Sequence, residues 1–357
     1  MTALNWFDLQ PDVFCSALSS RSVAEALTQL DGQHLLLTGA SGFFGKWLLA
    51  LVARLQYQGV ALRVTAVTRN PGALFVQHPE FTDCDWLTWV RSDVRELARC
   101  ELADVDLVIH AATDTSASGQ RDSLNLLDCM INGTEQVLRV AVARGAKRVL
   151  LTGSGAQYGR LEDGCKVRED SNSACATTGA GSAYAEGKRY QETLAAAYAQ
   201  HHQLEVINTR CFAFAGAGLT LDGHFAFGNF VRDALTSSDN IVLNSTGASV
   251  RSYMHGADLA VWLLVLLVQG ESGQAYNVGS DEGISIVELA RQIAGRLAPH
   301  KRVLIADGAS AAYSYYVPDT AKAQQLGLHL WHGIDSCIDS TAQWAHSLSH
   351  VPVITVQ

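Results

Sequence analysis

The chain has 357 residues, of which 48% are hydrophobic and 17% charged, with a formal net charge of -9. That length and apolar content can bury a large core and hold one big α/β domain or two smaller ones. The negative charge excludes nucleic acid and anionic membrane as the main partner, since neither polyanion would be attracted to it. The eight cysteines are scattered, with no CxxC pair and no His/Cys cluster at zinc spacing. They read as reduced thiols of a cytoplasmic protein, and no metal site is expected. The N-terminus lacks a basic segment followed by an apolar core, so no export signal is expected. The longest apolar run, Leu259 to Val268, is too short to span a bilayer and reads as a buried helix.

Residues 1–30 precede the first strand, and the apolar positions of Ser22 to Leu30 fall near helical spacing, which predicts an N-terminal helical extension. From Gln33 onward strand-like and helix-like segments alternate. Strands are predicted at 33–38, 62–68, 86–91, 106–110, 147–152 and 204–210, and helices at 43–57, 122–144 and 182–201. Such alternation predicts a doubly wound, mostly parallel α/β sheet with helices on both faces. The first strand runs into the first helix through Gly39, Gly42 and Gly45. This spacing lets backbone amides approach a pyrophosphate while the positive end of the helix faces it, so a dinucleotide is the expected ligand. Ser41, Phe43 and Phe44 share that turn.

The pattern changes after Arg210. Residues 211–250 carry Gly216, Gly218, Gly223, Gly228 and Gly247, several aromatics and one helical stretch near 229–236, which suits a loop-rich region covering a substrate. A helix near 257–269, a strand at 275–279 and a helix at 285–297 follow. The division expected is a dinucleotide-binding domain of residues 31–210 and 251–280, and a substrate-binding region of 211–250 and 281–357.

The end of the second strand is where such a fold contacts the adenosine ribose. An acidic residue there would accept from the 2'-hydroxyl of NAD. Thr68 and Arg69 stand there instead, and a cation better suits the 2'-phosphate of NADP, although a plainly solvated arginine is the alternative. Asp93 and Val94 follow a strand and can meet the adenine, while Ala111, Ala112 and Thr113 end another on the nicotinamide side. Tyr184 and Lys188 lie four apart in a predicted helix, on one face, where the cation can stabilise a phenolate and lower the tyrosine pKa, making a general base. Ser154, in a small-residue loop after a strand, can present its hydroxyl to the same reacting oxygen.

In this order the pieces resemble the extended short-chain dehydrogenase/reductase superfamily, in particular the NAD-dependent epimerase/dehydratase family that modifies nucleotide-linked sugars. The resemblance runs from Gln33 to about Leu328. It rests on Thr38 to Gly45, the Ser92-Asp93-Val94 string, His110 to Ala112, Thr152 to Gly159, Tyr184 to Lys188, Val250 to Ala260, Ala275 to Ser280 and Val317 to Gly327. It implies a Rossmann-type fold, a homodimer formed through the helices near 122–144 and 182–201, and catalysis by Ser154, Tyr184 and Lys188. Arg251 matches the arginine that steadies a nucleotide-sugar pyrophosphate, and Ser154, Gly155, Ala156 and Ala213 match positions at the sugar.

Several positions depart from the family pattern. Gly155 and Ala156 stand where dehydratases place Asp-Glu, and neither can move a proton, which disfavours dehydration and also the decarboxylases that keep a Glu there. Met130 replaces a common Asn, with Asn132 as a possible substitute, and Ala213 replaces another. The expected function is therefore redox chemistry at C4 of a nucleotide sugar, as an epimerase or a 4-ketoreductase. The alternatives are a 4,6-dehydratase with relocated acids and a non-catalytic NAD(P)-binding sensor or scaffold. His224, Phe225, Phe227 and Phe230 can line a substrate pocket or pack in the core, and Trp47 and Trp262 read as core.

Overall fold

The structure is a computed structural model, and it describes residues 5–8, 13–113, 119, 121–162, 164–221, 225–236 and 240–348. Runs of apolar residues with no polar alternation make strands that are covered on both faces. The first of them, β1 (His34–Thr38), is buried along its whole length. It is followed by β2 (Arg63–Thr68), β3 (Leu87–Arg91), β4 (Leu107–His110), β5 (Arg148–Ser154), β6 (Glu205–Cys211) and β7 (Ala275–Val278). The first six begin one residue later than the sequence predicts. They form one sheet in the order β7-β6-β5-β4-β1-β2-β3, and every pairing is parallel. The order reverses between β1 and β4, so the crevice beyond their carboxyl ends is the natural ligand position.

Helices cover both faces. Alternating side chains of β1 point to opposite sides. Leu35 and Leu37 join a cluster with Trp47, Leu48 and Leu51 of α1 (Phe43–Tyr57). Leu36 joins Val67, Val137, Leu138, Leu151 and Val206 on the side of α2 (Ser123–Ala143) and α3 (Ala183–His202). A third cluster gathers Phe227 and Phe230 of α4 (Ala226–Leu235), Leu289 and Ile293 of α6 (Ile286–Leu297) and Ile338 of α7 (Ile334–Leu348), while α5 (Gly256–Gln269) joins the first cluster. Trp47 and Trp262 are core, as expected. α5 is buried from Gly256 to Leu267 because it packs against α1, the helix Arg21–Leu27 and β5. Among the described residues no helix is long and apolar enough to cross a membrane.

Three elements exceed the sequence reading. A helix at Pro71–Gln77 starts with proline in its first turn and is capped by Asn70, whose side chain accepts from the Ala73 amide at 3.1 Å, a standard way to begin a helix. The strand Asn240–Ser245 pairs in parallel with Arg302–Ser310, a partner some sixty residues away that no local signal announces. The helix expected near 229–236 begins at Ala226.

The N-terminal extension contains short helical turns at Trp6–Asp8, Cys15–Leu18 and Arg21–Leu27. Trp6 is fully buried. It meets Trp47 of α1 edge-on at 5.4 Å and Trp344 of α7 at 5.9 Å, and its amide donates to Glu80 at 2.9 Å. The Lys46 ammonium lies over both Trp6 and Trp344, 5.2 and 5.3 Å from the ring centres. Trp6 therefore clips α1 to α7. Trp6→Ala is expected to cost about 3–5 kcal/mol, the usual loss for a buried tryptophan, seen as a lower urea midpoint at unchanged slope. An unchanged midpoint would refute this role.

Candidate active site

The turn from β1 to α1 is built on close backbone approach. Gly39 has φ +71°, and a Cβ there would stand 2.6 Å from the Ala111 carbonyl oxygen. A Cβ on Gly45 would stand 2.3 Å from the Ala40 carbonyl oxygen. Gly42 caps α1, is exposed, and offers no side chain to the first-turn amides. Those amides and the positive end of α1 face outward, which suits a pyrophosphate. Phe43 and Phe44 are half-buried behind the turn, with Phe44 against Phe214 at 5.0 Å. These residues fit a dinucleotide cofactor.

At the end of β2, Thr68 is buried and its hydroxyl bonds Ser41 Oγ at 2.8 Å, while Arg69 is exposed. Asp93 accepts from Arg95 Nη2 at 2.7 Å and Nε at 2.9 Å, and Arg95 also reaches Asp128 at 2.7 Å. The Arg95 hydrogen bonds hold the Asp93 carboxyl below the usual carboxylate range, with Arg69 adding a smaller push the same way. Val94 is buried, and Ala111, Ala112 and Thr113 are half-buried after β4.

Ser154 is the last residue of β5, buried, and its Oγ accepts from the Ala156 amide at 3.1 Å. Tyr184 and Lys188 lie one turn apart near the start of α3. Lys188 is buried, and its Nζ donates to Thr113 Oγ1 at 2.9 Å and to the Thr152 carbonyl at 2.7 Å. It thus ties α3 to β5 and to the loop after β4. Burial pushes Lys188 down to about 8, against opposing contributions from Cys211 and Cys129. The Tyr184 phenol is pushed up to about 12 by burial, with a hydrogen bond to Ser154 opposing part of the rise. This corrects the expectation that Lys188 lowers the tyrosine pKa. The lysine protons go to Thr113 and Thr152, and loss of water around the phenol dominates.

The departures at positions 155 and 130 have packing reasons. A Cβ on Gly155 would lie 2.7 Å from the Tyr316 hydroxyl and 2.8 Å from Phe212 Cζ, so the space for a carboxylate is already filled. Met130 is fully buried and packs where a Cβ of Gly187, between Tyr184 and Lys188, would stand 2.3 Å from its Cε. Asn132 does not substitute for the missing Asn, because its side chain donates to Asp128 on the surface. Ala213 is half-buried, and its carbonyl accepts from the Met254 amide at 3.0 Å. Ala156 is half-buried at the mouth of the same turn.

Tyr316 is the residue that sequence reasoning missed. It lies on the strand Tyr315–Tyr316, which pairs in parallel with Val250–Arg251 and sets Tyr316 opposite Arg251. Its ring lies 4.6 Å from Phe212 and 5.8 Å from the Arg251 guanidinium. No local pattern marks it, since only the long-range pairing brings it to the site. Arg251 itself donates to the Ser314 carbonyl at 3.1 Å and to Ser314 Oγ at 2.8 Å.

Behind Ser154, a polar network holds the turn. Arg210 donates to Glu192 at 2.9 and 3.0 Å and to the Tyr158 hydroxyl at 2.9 Å, and Tyr158 donates to Asn277 at 2.8 Å. Gln157 donates to the same Glu192 at 2.6 Å. The histidines take other roles. His110 is a core residue bonded to Thr38 at 2.7 Å and Thr134 at 3.1 Å, and burial lowers it to about 3, so it is neutral. His224 lies outside the described residues. Phe227 and Phe230 are core, whereas Phe225 is exposed. Among the described residues no group of three His, Cys, Asp or Glu is placed to hold a metal.

Burial of Lys188 makes stability depend on pH. Its folded pKa, about 8, lies below the ordinary 10.5, so in the interval between them the unfolded chain binds more protons. The cost of burying the ammonium is present below pH 8 and is relieved as pH rises toward 10.5. Urea unfolding is expected to show that upward contribution in the native chain and its loss in Lys188→Met. Parallel pH profiles for the two would overturn the assignment.

A family model described as the NAD dependent epimerase/dehydratase family matches residues 35–279. UDP-glucuronic acid decarboxylase 6 of Arabidopsis thaliana is 25% identical over 299 residues, covering 82% of each chain. Among solved structures, the UDP-glucose 4-epimerase of Thermotoga maritima with UDP-glucose superposes with a TM-score of 0.73 at 18% identity, over 88% of this chain and 99% of that one. The dTDP-glucose 4,6-dehydratase of Streptomyces venezuelae with NAD bound gives 0.72 at 23% identity, over 88% and 97%. The chain belongs to the NAD-dependent epimerase/dehydratase family.

Proposed function

We propose that this family member carries out redox chemistry at C4 of a nucleotide-activated sugar, as a 4-epimerase or a 4-ketoreductase. The observation that supports the reading is that Ser154 ends β5 while Lys188, one turn after Tyr184 on α3, donates to the carbonyl of Thr152 on that same strand, with no carboxylate at 155 or 156. A nicotinamide dinucleotide, held by Gly39, Ser41, Gly42, Phe43, Phe44 and Gly45, by Asp93 and Val94 at the adenine and by Ala111, Ala112 and Thr113 toward the nicotinamide, supplies the redox partner when bound.

The chain's own residues handle the proton and the geometry. Tyr184, in its deprotonated form, takes the proton of the 4-hydroxyl as the hydride leaves C4 and the carbonyl forms, and Ser154 hydrogen-bonds the reacting oxygen. Lys188, fixed by Thr113 and Thr152, places a cation beneath the site, one helical turn from Tyr184. Arg251 is positioned to meet the sugar-nucleotide pyrophosphate with its fork of donors. The relatives that remove a carboxyl group or water from related sugars gave the competing reading, a dehydratase with relocated acids. Tyr316 and Phe212 occupy the space a carboxylate at 155 would need, which favours the simpler C4 chemistry. A sensor or scaffold has no use for all three catalytic side chains.

Arg69 at the end of β2, where an acidic residue would serve NAD, supports a preference for NADP. We further infer a cytoplasmic homodimer joined through α2 and α3, and the division of the chain into a dinucleotide-binding domain and a substrate region given above.

Two outcomes test the reading. Tyr184→Phe is expected to lower kcat by about 10²–10⁴, the usual contribution of a positioned acid or base, while cofactor affinity by calorimetry is unchanged. Turnover at the native rate would sink the assignment. Arg69→Ala is expected to weaken NADPH by about tenfold or more, the loss of a charge-assisted hydrogen bond, and to leave NADH untouched. Mass spectrometry of the undialysed protein separates the two reactions: retained NAD supports the epimerase, and an exchangeable NADP site the reductase.

A further inference from the structure

Arg251 is a half-buried cation that pairs with no carboxylate among the described residues. Arg95 and Arg210 differ, being paired with Asp93 at 2.7 Å and with Glu192 at 2.9 Å. The acceptors of Arg251 are neutral oxygens. Its Nη1 donates to the Val250 carbonyl at 2.8 Å and to the Ser314 carbonyl at 3.1 Å, and its Nη2 donates to Ser314 Oγ at 2.8 Å. A guanidinium has five N–H donors, so one on Nε and one on Nη2 are left. They belong to neighbouring nitrogens and can grip a single phosphate together. Ser314 also has capacity to spare. A hydroxyl has one proton and two lone pairs; its Oγ accepts from the arginine, and its proton has no acceptor among the described residues.

The backbone sets Ser314 in place. The next two residues, Tyr315 and Tyr316, pair in parallel with Val250 and Arg251. The Val250 amide donates to the Ser314 carbonyl at 2.9 Å, and the Ser314 amide donates to Ser249 Oγ at 3.1 Å. The Tyr316 ring lies 5.8 Å from the same guanidinium. We propose that Ser314 is a second anion-binding residue of the site: its two oxygens hold the Arg251 fork, and its own proton is donated to a phosphate oxygen of a nucleoside diphosphate. The role rests on the reading of Arg251 as the pyrophosphate arginine. A hydroxyl that accepts from a cation is polarised by it, and so becomes a stronger donor to an anion. Ser314 follows Arg251 by 63 residues, and only the strand pairing brings the two together.

Calorimetry of the full chain with UDP, dTDP, GDP and CDP tests this, because these carry the pyrophosphate without the sugar and need no turnover. The one that binds the native chain most tightly serves as the probe. Ser314→Ala is expected to weaken it about tenfold, the scale of one hydrogen bond to a charged group, and Ser314→Thr, which keeps the hydroxyl, to stay within about twofold of the native chain. Arg251→Ala should weaken it more. Adding Ser314→Ala to Arg251→Ala should then cost less than Ser314→Ala alone, since the serine has neither a fork to hold nor a cation to polarise it. NAD(P) affinity is expected to be the same in every variant and reports an intact fold. Unchanged affinity in Ser314→Ala overturns the proposal, and so does a loss that threonine fails to restore or one of equal size with and without Arg251. If Arg251→Ala binds as the native chain does, or no nucleoside diphosphate binds the native chain, the pyrophosphate reading fails and the proposal with it. A loss in Arg251→Ala alone leaves that reading standing and rejects the role of Ser314.

Discussion

The contact on which everything else rests is the approach of α1 to β1 and of Gly39 to the end of β4. At Gly45 and Gly39 the backbones come closer than any side chain permits. That closeness leaves the first-turn amides of α1 open above the carboxyl edge of the sheet, with the helix dipole behind them. Strand order then does the rest. Because β1 lies between β2 and β4, the loops after β2, β4 and β5 converge on this turn, and each brings one part of a binding surface.

The proposed catalytic group is held by burial as much as by contact. Lys188 is an ammonium in a dry place, and two oxygen acceptors from different segments keep it there. Burial weakens the charged forms of both Lys188 and Tyr184. A bound ligand can shift both groups, since desolvation penalties are large and hydrogen bonds to a charged form offset them. The Arg210, Glu192 and Tyr158 network behind Ser154 is joined by hydrogen bonds from β6 to α3 and to the turn after β5. It fixes the turn whose residues meet the sugar in the proposed reaction.

Chemical distinctions within such a site arise from remote parts of the chain. Position 155 is next to the serine, but what it can be is decided by Tyr316, on the strand Tyr315–Tyr316 beside Arg251, and by Phe212, the residue after β6. Similarly, the identity of residue 130 on α2 is tied to Gly187 on α3 by direct packing. A Gly or a Met that looks like a loss of function in the linear chain is a space-filling consequence in three dimensions.

The strands and long helices were legible in the sequence because they are carried by local periodicity: a buried parallel strand is a short apolar run, and an amphipathic helix repeats at its own pitch. The glycine turn was legible for the same reason, since backbone approach needs glycine at fixed spacing. Tyr184 and Lys188 were legible as a pair because four residues make one helical turn. Tertiary structure alone decided that Lys188 turns to Thr113 and Thr152, that Trp6 clips α1 to α7, that Asn240–Ser245 finds Arg302–Ser310, and that Tyr316 stands beside Gly155 and Phe212. Each of these joins residues tens to hundreds of positions apart. Such contacts depend on packing volumes and loss of water in the folded chain, which leave no periodic trace along the sequence.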